Sequence, residues 1–477
     1  MAKIVVLGAG ISGHTAAAHL RRKLSKEHEV LVVSPNRNYQ WVPSNIWVGI
    51  GRMKSKEVIF PLEPLYKRKG IGYKQAKAVS FHPEGDSSEA KPYILVEGVF
   101  GDNLGKQEKV TYDYLINATG PKLAFDMTEG LQPATNKVYS VCTYDHAEHA
   151  SEALHKLIDQ LKKSDKKSKI LIGTGHAKAT CQGAAFEYIL NVEKELQKFG
   201  VRDKAEITWI SNEYELGDFG MDGMLMEYNG FNMKSKDMIE MIFEDRGIKW
   251  ILGAAVQKVE DGIVHYENLE GEFKTETFDF AMLIPAFSGH GFQAYDKTGQ
   301  NITEKLFKGF MVVDADYTAK PYEEWSVQDW PETYQNPSYK NIFAPGIAFA
   351  PPHSISKPRK SKNGTEIFPS PPRTGMPSGI TAKLVADNII DSINLGKESL
   401  HHKGSLGNMG AACIASAGYG MTQGSGVSIT TYPIVPDYKK YPNTGGRDIK
   451  KTFGDIGLAG HWVKLALHYA FIYKAKM

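Results

Sequence analysis

Three cysteines, Cys142, Cys181 and Cys413, are the only thiols in the chain, and none has a partner at CxxC spacing. That count and spacing speak against a disulfide framework and a zinc site alike. The chemistry left to them is that of individual thiols: inert packing, or nucleophilic and redox work at a site that gathers them. The surroundings of Cys181 favour the second. It lies in GTGHAKATCQGAAFE at 173–187, directly after the apolar run KILI at 169–172. The segment begins as the glycine turn of a strand–turn–helix nucleotide unit, but Lys178 stands where the third glycine belongs. NADH needs a small residue there, because backbone and pyrophosphate pass close together. A cysteine in the first turns of the following helix meets free N–H groups instead. Their partial positive charge, with that of Lys178, favours a thiolate.

A thiolate with redox work needs an electron acceptor, and the first segment supplies a place for one. KIVVLGAGISGHTAAAHLRRKL (3–24) is an apolar strand, a Gly8-x-Gly10-x-x-Gly13 turn and an alanine-rich helix, followed by a second strand, EVLVVS, at 29–34. In that context Gly8 makes the turn, Gly10 lets the backbone approach a pyrophosphate, and Gly13 packs helix on strand. The helix N-terminus stabilises the phosphate charge. The second strand ends in Ser34-Pro35-Asn36-Arg37, without the acid that usually holds a ribose, so Ser34 or Asn36 must serve. DYLINATGPKL (113–123) reads as a strand running beneath the cofactor of a two-dinucleotide flavoprotein, with Thr119 and Gly120 at its end. NPSYKNIFAPGIAFAPP (336–352) reads as the late strand of that fold. There Gly346 is followed by Ile347 rather than by the aspartate that commonly holds the ribitol.

These units must sit on a larger frame. The 477 residues are 42% hydrophobic and 23% charged with a net charge of +3, a soluble composition with enough chain for two or three domains. No dense basic patch or recognition motif points to nucleic acid; KKSDKKSK (162–169) reads as a solvated loop. MAKIVVLGAG enters a strand at once, which argues against a cleavable signal, and no apolar run is long enough for a membrane span. The expected fold class is α/β, with two Rossmann-like dinucleotide-binding domains, the second inserted into the first. The expected division is 1–125 and 291–400 for the FAD domain, with a capping loop at 351–375, and 126–290 for the inserted, vestigial NAD(P)H unit. A redox-cysteine and membrane region follows at 401–477. In its last helix Leu458, Trp462, Leu465, Tyr469 and Ile472 form one apolar face, and Val463, Leu467 and Phe471 a further ridge. His461, Lys464 and His468 gather elsewhere. Two readings stay open: a helix dipping into the lipid interface, with Trp462, Tyr473, Lys474 and Lys476 near the headgroups, or one buried against its own domain or a partner subunit.

Taken together, YSVCTYDHA (139–147), CQGAAFE (181–187), NPSYKNIF, PRTGMP (372–377), GAACIA (410–415) and HWVKLALHYAFIYK (461–474) resemble the sulfide:quinone oxidoreductase family. The resemblance spans nearly the whole chain. It implies bound FAD, with Cys181 and Cys413 as the redox pair on one flavin face. Sulfide attacks their bridge, and electrons leave from the opposite face to a membrane quinone, with polysulfide as product. Cys142 matches a cysteine that in some members bonds the flavin covalently and in others handles sulfur; both roles stay open. Glu187 and His146 match residues linked to proton handling, and Lys464 matches a lysine at the flavin pyrimidine carbonyl. Pro43 and Ala78 fall at cofactor contacts, as do Gly375 and Arg373, the latter where the family often has lysine. Two departures stand out: LGDFG places Asp218 where the family often carries histidine, and Leu467 replaces an aromatic that sandwiches the quinone. The implied setting is a peripheral membrane protein, compatible with a homo-oligomer.

Three other assignments share parts of this pattern. A sulfide dehydrogenase flavoprotein would pass electrons to a cytochrome c. A type II NADH:quinone reductase would be bleached by NADH, which Lys178 argues against. A non-catalytic flavin-binding sensor or scaffold would have no need of thiols in these three contexts.

Overall fold

The opening apolar run folds as the strand Lys3–Leu7 and pairs in parallel with Glu29–Ser34 on one side and Tyr114–Asn117 on the other. In the computed structural model, which describes residues 1–371 and 375–477, this strand lies mid-sheet. The order is Ile342–Phe343, Tyr114–Asn117, Lys3–Leu7, Glu29–Ser34, Gly72–His82, Tyr93–Gly98 and Gln107–Thr111. The first five strands are parallel and the last two antiparallel. Parallel strands this apolar need cover on both faces. The helix Ile11–Lys23 and the late helix Gly375–Leu395 provide part of it and pack against each other.

A second parallel sheet is built from residues lying between those strands in the chain. Its order is Val138–Tyr139, Phe280–Ile284, Ser168–Thr174, Ala205–Ile210 and Ile248–Ile251. Register places Ile172 between Trp209 and Met282, all three buried. Three helices accompany it, Tyr144–Lys163, Gln182–Lys198 and Ser235–Asp245. The strand-rich stretch before Phe280 adds a three-stranded antiparallel sheet.

The glycine-rich region beyond 400 contributes three strands of a further sheet. Ala411–Tyr419 pairs with Gln423–Thr431, which pairs with Phe453–Gly457. A hairpin from far upstream, Leu225–Tyr228 and Phe231–Lys234, completes it through a parallel contact at Glu227 and Phe453. The inserted unit therefore lends strands to the C-terminal sheet. The small residues of this sheet let the last helix, Leu458–Lys476, come close. A Cβ at Gly426 would lie 2.4 Å from the His461 backbone nitrogen, and one at Gly424 2.4 Å from its ring.

That helix settles differently from its apolar periodicity. His461 and His468 are buried, whereas Trp462, Val463, Leu467, Tyr469, Phe471 and Tyr473 are exposed. Each buried histidine has polar partners: Ser416 Oγ and the Gly420 carbonyl for His461, Ser44 Oγ for His468. Satisfied polar groups carry little burial penalty, so hydrogen bonding brings the histidines to the inward side together with buried Ile472 and half-buried Leu465 of the expected apolar face, while the remaining aromatic and apolar residues turn outward. Among the described residues no helix is long and apolar enough to cross a membrane.

Candidate active site

All three sulfur residues line one cavity of about 1900 Å³, larger than the roughly 300–1,000 Å³ of most small-ligand pockets. Cys142 comes from the loop after Val138–Tyr139, Cys181 from the N-cap of Gln182–Lys198, and Cys413 from the strand Ala411–Tyr419. Cys181 holds a left-handed backbone, φ +67°, a conformation that costs a non-glycine residue about 1–2 kcal/mol and concentrates at functional positions. Cys413 Sγ lies over the first turn of the helix that Cys181 opens: a Cβ at Gly183 would sit 3.3 Å from it. Gly183 thus belongs to the sulfur site, although only its place in CQG hints at this in the sequence.

The expected Cys181 thiolate is not what these surroundings favour. Burial pushes its thiol up to about 12, and the neighbouring Cys142 and Cys413 push the same way. Lys178 does not oppose this. Its ammonium is 2.7 Å from Glu366 and lies over the Phe368 ring. Desolvation outweighs the helix end, whose effect is modest and confined to one turn. Burial pushes Cys142 up to about 11, partly offset by the Ser140 hydroxyl. At Cys413 burial again raises the thiol, but Lys464 pulls it down.

Lys464 and Glu187 form an ion pair at 2.7 Å, their side chains 14% and 5% exposed. Lys464 also donates to the Ile414 carbonyl at 3.0 Å, and the Ser416 N–H donates to the second Glu187 oxygen at 3.1 Å. Both side chains line the cavity beside the cysteines. Burial raises the Glu187 carboxyl against the opposing pull of Lys464.

His146 is not brought to this wall. It sits in the first turn of the helix Tyr144–Lys163 and meets Phe125 edge-on at 5.6 Å, its Nδ1 buried without a partner. Asp218 is also buried, accepting from Ser356 Oγ at 2.6 Å, with burial raising it to about 6. Its neighbours Phe219 and Met221, not Asp218, line the cavity.

At the other end the cavity meets the first glycine turn. A Cβ at Gly8 would lie 2.3 Å from the Ala118 carbonyl, and one at Gly13 2.0 Å from the Gly8 carbonyl. Gly10 has no atom within 4 Å on that side and caps Ile11–Lys23 without a side chain or a first-turn acid. The free N–H groups of the first turn therefore face open space fit for a pyrophosphate. Ser34, Asn36, Pro43, Ala78, Thr119, Gly120 and Gly375 line the same cavity. Gly346 does not; its φ is +71° and a Cβ there would strike Ser12 Oγ at 2.2 Å, so it packs against the first helix while Pro345 and Ile347 reach the cavity. Arg373 lies outside the described residues. Sequence reading missed His290 and Phe292, which stack at 5.3 Å and line the wall near Thr119, and Ser44 with His468, hydrogen-bonded at 2.8 Å beside Pro43. FSGHG and QWVPSN carry no recognisable signal for either.

The second glycine turn is covered by the chain itself. Phe368 and Ser370 donate backbone hydrogen bonds to the carbonyls of Ala177 and Ala179, Asn212 donates to the Phe368 carbonyl at 3.0 Å, and Ile367 packs on Ala177 and Ala255. Glu213, just past the second strand where an acid would hold a ribose, is wholly buried. It accepts from Ser211 Oγ and the Phe219 N–H.

Residues 2–192 match the pyridine nucleotide-disulphide oxidoreductase family. The chain is 28% identical over all of its 477 residues to a sulfide-quinone reductase from Aquifex aeolicus (strain VF5), covering 92% of that protein. It is 24% identical over 294 residues, 60% of this chain and 57% of the other, to the mitochondrial sulfide:quinone oxidoreductase of Dictyostelium discoideum. The X-ray structure of the Aquifex aeolicus sulfide:quinone oxidoreductase superposes with a TM-score of 0.74 at 26% identity, covering 100% of this chain and 92% of that one. The resemblance carried by the cysteine segments thus holds over the full length, and so does the two-domain dinucleotide-binding fold.

Proposed function

We propose that this protein is an FAD-dependent oxidoreductase that oxidises sulfide to polysulfide through Cys181 and Cys413 and reduces a membrane quinone. The observation that carries the proposal is the convergence of three cysteines, from distant parts of the chain, on a cavity that also meets an open glycine turn. FAD in this cavity would have its pyrophosphate held by the Gly8–Gly13 turn, with Ser34, Asn36, Pro43, Ala78, Thr119, Gly120, Gly375 and Lys464 as the further residues that could hold it. FAD bound there supplies a two-electron acceptor for sulfur and a donor for quinone.

Cys181 and Cys413 are free thiols in this structure. Once their two-electron oxidation, for which FAD would be the acceptor, had joined them, hydrosulfide would open that disulfide by exchange. One S–S bond would break and another form, with a persulfide left on one cysteine and a thiolate on the other. The better leaving thiol is the one with the lower pKa. Lys464 opposes the upward shift of Cys413, whereas no cation does so at Cys181. Lys464, held beside Cys413 through its bond to the Ile414 carbonyl, favours Cys413 as the departing thiolate and Cys181 as the sulfur attacked. Cys142, on the same wall, is the residue available to hold the flavin covalently or to pass sulfur. Denaturing the protein and following whether the yellow colour stays with the polypeptide separates those roles. The buried carboxyl of Glu187 holds Lys464 in place and exchanges protons with the site.

The outward apolar side of Leu458–Lys476 supports peripheral contact with the lipid interface, where exposed Trp and Tyr are favourable. Leu467 and Phe471, on that exposed side, also line the cavity, so the interface would adjoin the site that a quinone must reach. The covered second turn supports a unit that no longer takes NADH. Anaerobic titration with sulfide tests the proposal: the flavin absorbance should bleach and quinone should restore it. A flavin that stays oxidised under sulfide, or one still bleached in Cys181→Ala and Cys413→Ala, contradicts it.

A further inference from the structure

The final carbonyls of a helix have no partner within it and must find one elsewhere. In Leu458–Lys476 the first domain supplies it. The Ala475 carbonyl accepts from His14 Nε2 at 3.0 Å, and the Lys476 carbonyl from the Arg68 guanidinium at 2.7 Å. A carbonyl only accepts, so Nε2 carries the His14 proton and Nδ1 accepts from the Tyr66 hydroxyl at 3.1 Å. The ring is then neutral with both nitrogens satisfied, as its burial demands: it is 5% exposed, and desolvation pushes its pKa down to about 4. Packing fixes it as well. The Tyr39 ring lies 5.1 Å from it and stacks on Phe60 at 4.7 Å, and Phe60 in turn lies beneath the Lys476 ammonium.

These contacts fall beside the first glycine turn. His14 follows Gly13 directly in the chain, and it lines the same cavity as Gly8 and Gly10, together with Lys474, Ala475 and Met477 of the last helix. Arg68 is not on that wall; it reaches only a backbone carbonyl of the turn. Part of the cavity wall is therefore a last helical turn, an element that frays unless it is tied down, and here two side chains tie it.

We propose that His14 and Arg68 are positioning residues of the cofactor site: they dock residues 474–477 as a strap on the cavity wall beside the glycine turn, so that FAD retention and docking of that turn stabilise each other. This role rests on the reading of the cavity as the FAD site. The coupling is reciprocal: whatever factor docking adds to FAD affinity, bound FAD adds to docking.

The test uses the holoprotein carrying Cys142→Ala, in which flavin is free to exchange whichever role Cys142 has. Two rates are followed: loss of protein-bound flavin on dilution, and the tryptic cut after Lys474, read by mass spectrometry. Arg68→Gln is the deciding variant, because it removes a bond to the turn from outside the cavity. It should speed both rates by about three- to ten-fold, the worth of one hydrogen bond, with circular dichroism unchanged. His14→Leu should do the same. FAD added to the flavin-stripped parent should slow the cut. Flavin loss that stays unchanged in Arg68→Gln while the cut quickens overturns the strap, since the turn then undocks without reaching the cofactor. A cut unchanged in both variants, or one that FAD does not slow, overturns it as well and leaves the FAD reading standing. A protein that takes up no flavin overturns that reading, and the strap with it.

Discussion

The ammonium of Lys464, on the last helix, lies 2.7 Å from a carboxylate oxygen of Glu187, on the helix that Cys181 opens. This pair joins the two halves of the sulfur site, since Lys464 also bonds the carbonyl of Ile414, next to Cys413. Removing one partner leaves a buried charge uncompensated, which costs about 3–5 kcal/mol, whereas replacing both costs far less. Lys464→Met should therefore lower unfolding stability by about that amount and Lys464→Met with Glu187→Leu should recover most of it. Urea unfolding of the two variants checks this. Both should be reduced slowly by sulfide, because the Cys413 thiolate has lost its cation.

Gly183→Ala separates stability from chemistry. An alanine in the first helical turn is worth up to about 1 kcal/mol of added helix stability. Its methyl group would press on Cys413 Sγ at 3.3 Å. Sulfide-driven bleaching should slow roughly ten-fold in a protein that unfolds no earlier than wild type. Unchanged bleaching would show that the sulfur has room to move.

The pH response of the reduced thiols follows from their burial. Cys181 is pushed up to about 12, so its iodoacetamide labelling should keep rising through pH 10 without a plateau. The folded pKa exceeds the unfolded one. The thiol therefore adds stability at lower pH, and this is lost as pH rises from the unfolded value of about 9 towards 12. Unfolding free energies measured across that window check the sign.

NADH should neither bleach the flavin nor protect the protein thermally. Lys178 is engaged with Glu366, the turn carbonyls are taken by Phe368 and Ser370, and Glu213 is sealed inside. Rapid anaerobic bleaching by NADH would show that this covering opens.

Val463→Glu with Tyr473→Glu places charge on the outward side of the last helix, where the wild-type residues are 46% and 66% exposed. Binding to neutral vesicles should weaken by at least about ten-fold, since each charge must be desolvated at the interface. Reduction by sulfide in solution should be unchanged.

Much of this was legible in local pattern. A glycine turn between an apolar strand and a helix has one backbone solution, so Gly8, Gly10 and Gly13 could be assigned their places from spacing. Cys181, at the head of a helix behind a second such turn, was marked in the same way. His146 was not readable, because a residue in a first helical turn can project towards the cavity or, as here, towards Phe125. Nor was the upward push on the Cys181 thiol, since the helix end is a local feature while desolvation depends on everything packed around the sulfur.

The sequence by itself determined the strands, the turns and the three thiols, because periodicity and glycine geometry act within a few residues of chain. Only the tertiary structure decided which surfaces those elements share. It set Cys413 over Gly183, turned the histidines of the last helix inward with Ile472 while Trp462, Val463, Tyr469 and Tyr473 face outward, and laid 367–370 across the second turn. Each of these contacts joins residues far apart in the chain, and the balance of burial, hydrogen bonding and charge that selects it exists only once they meet.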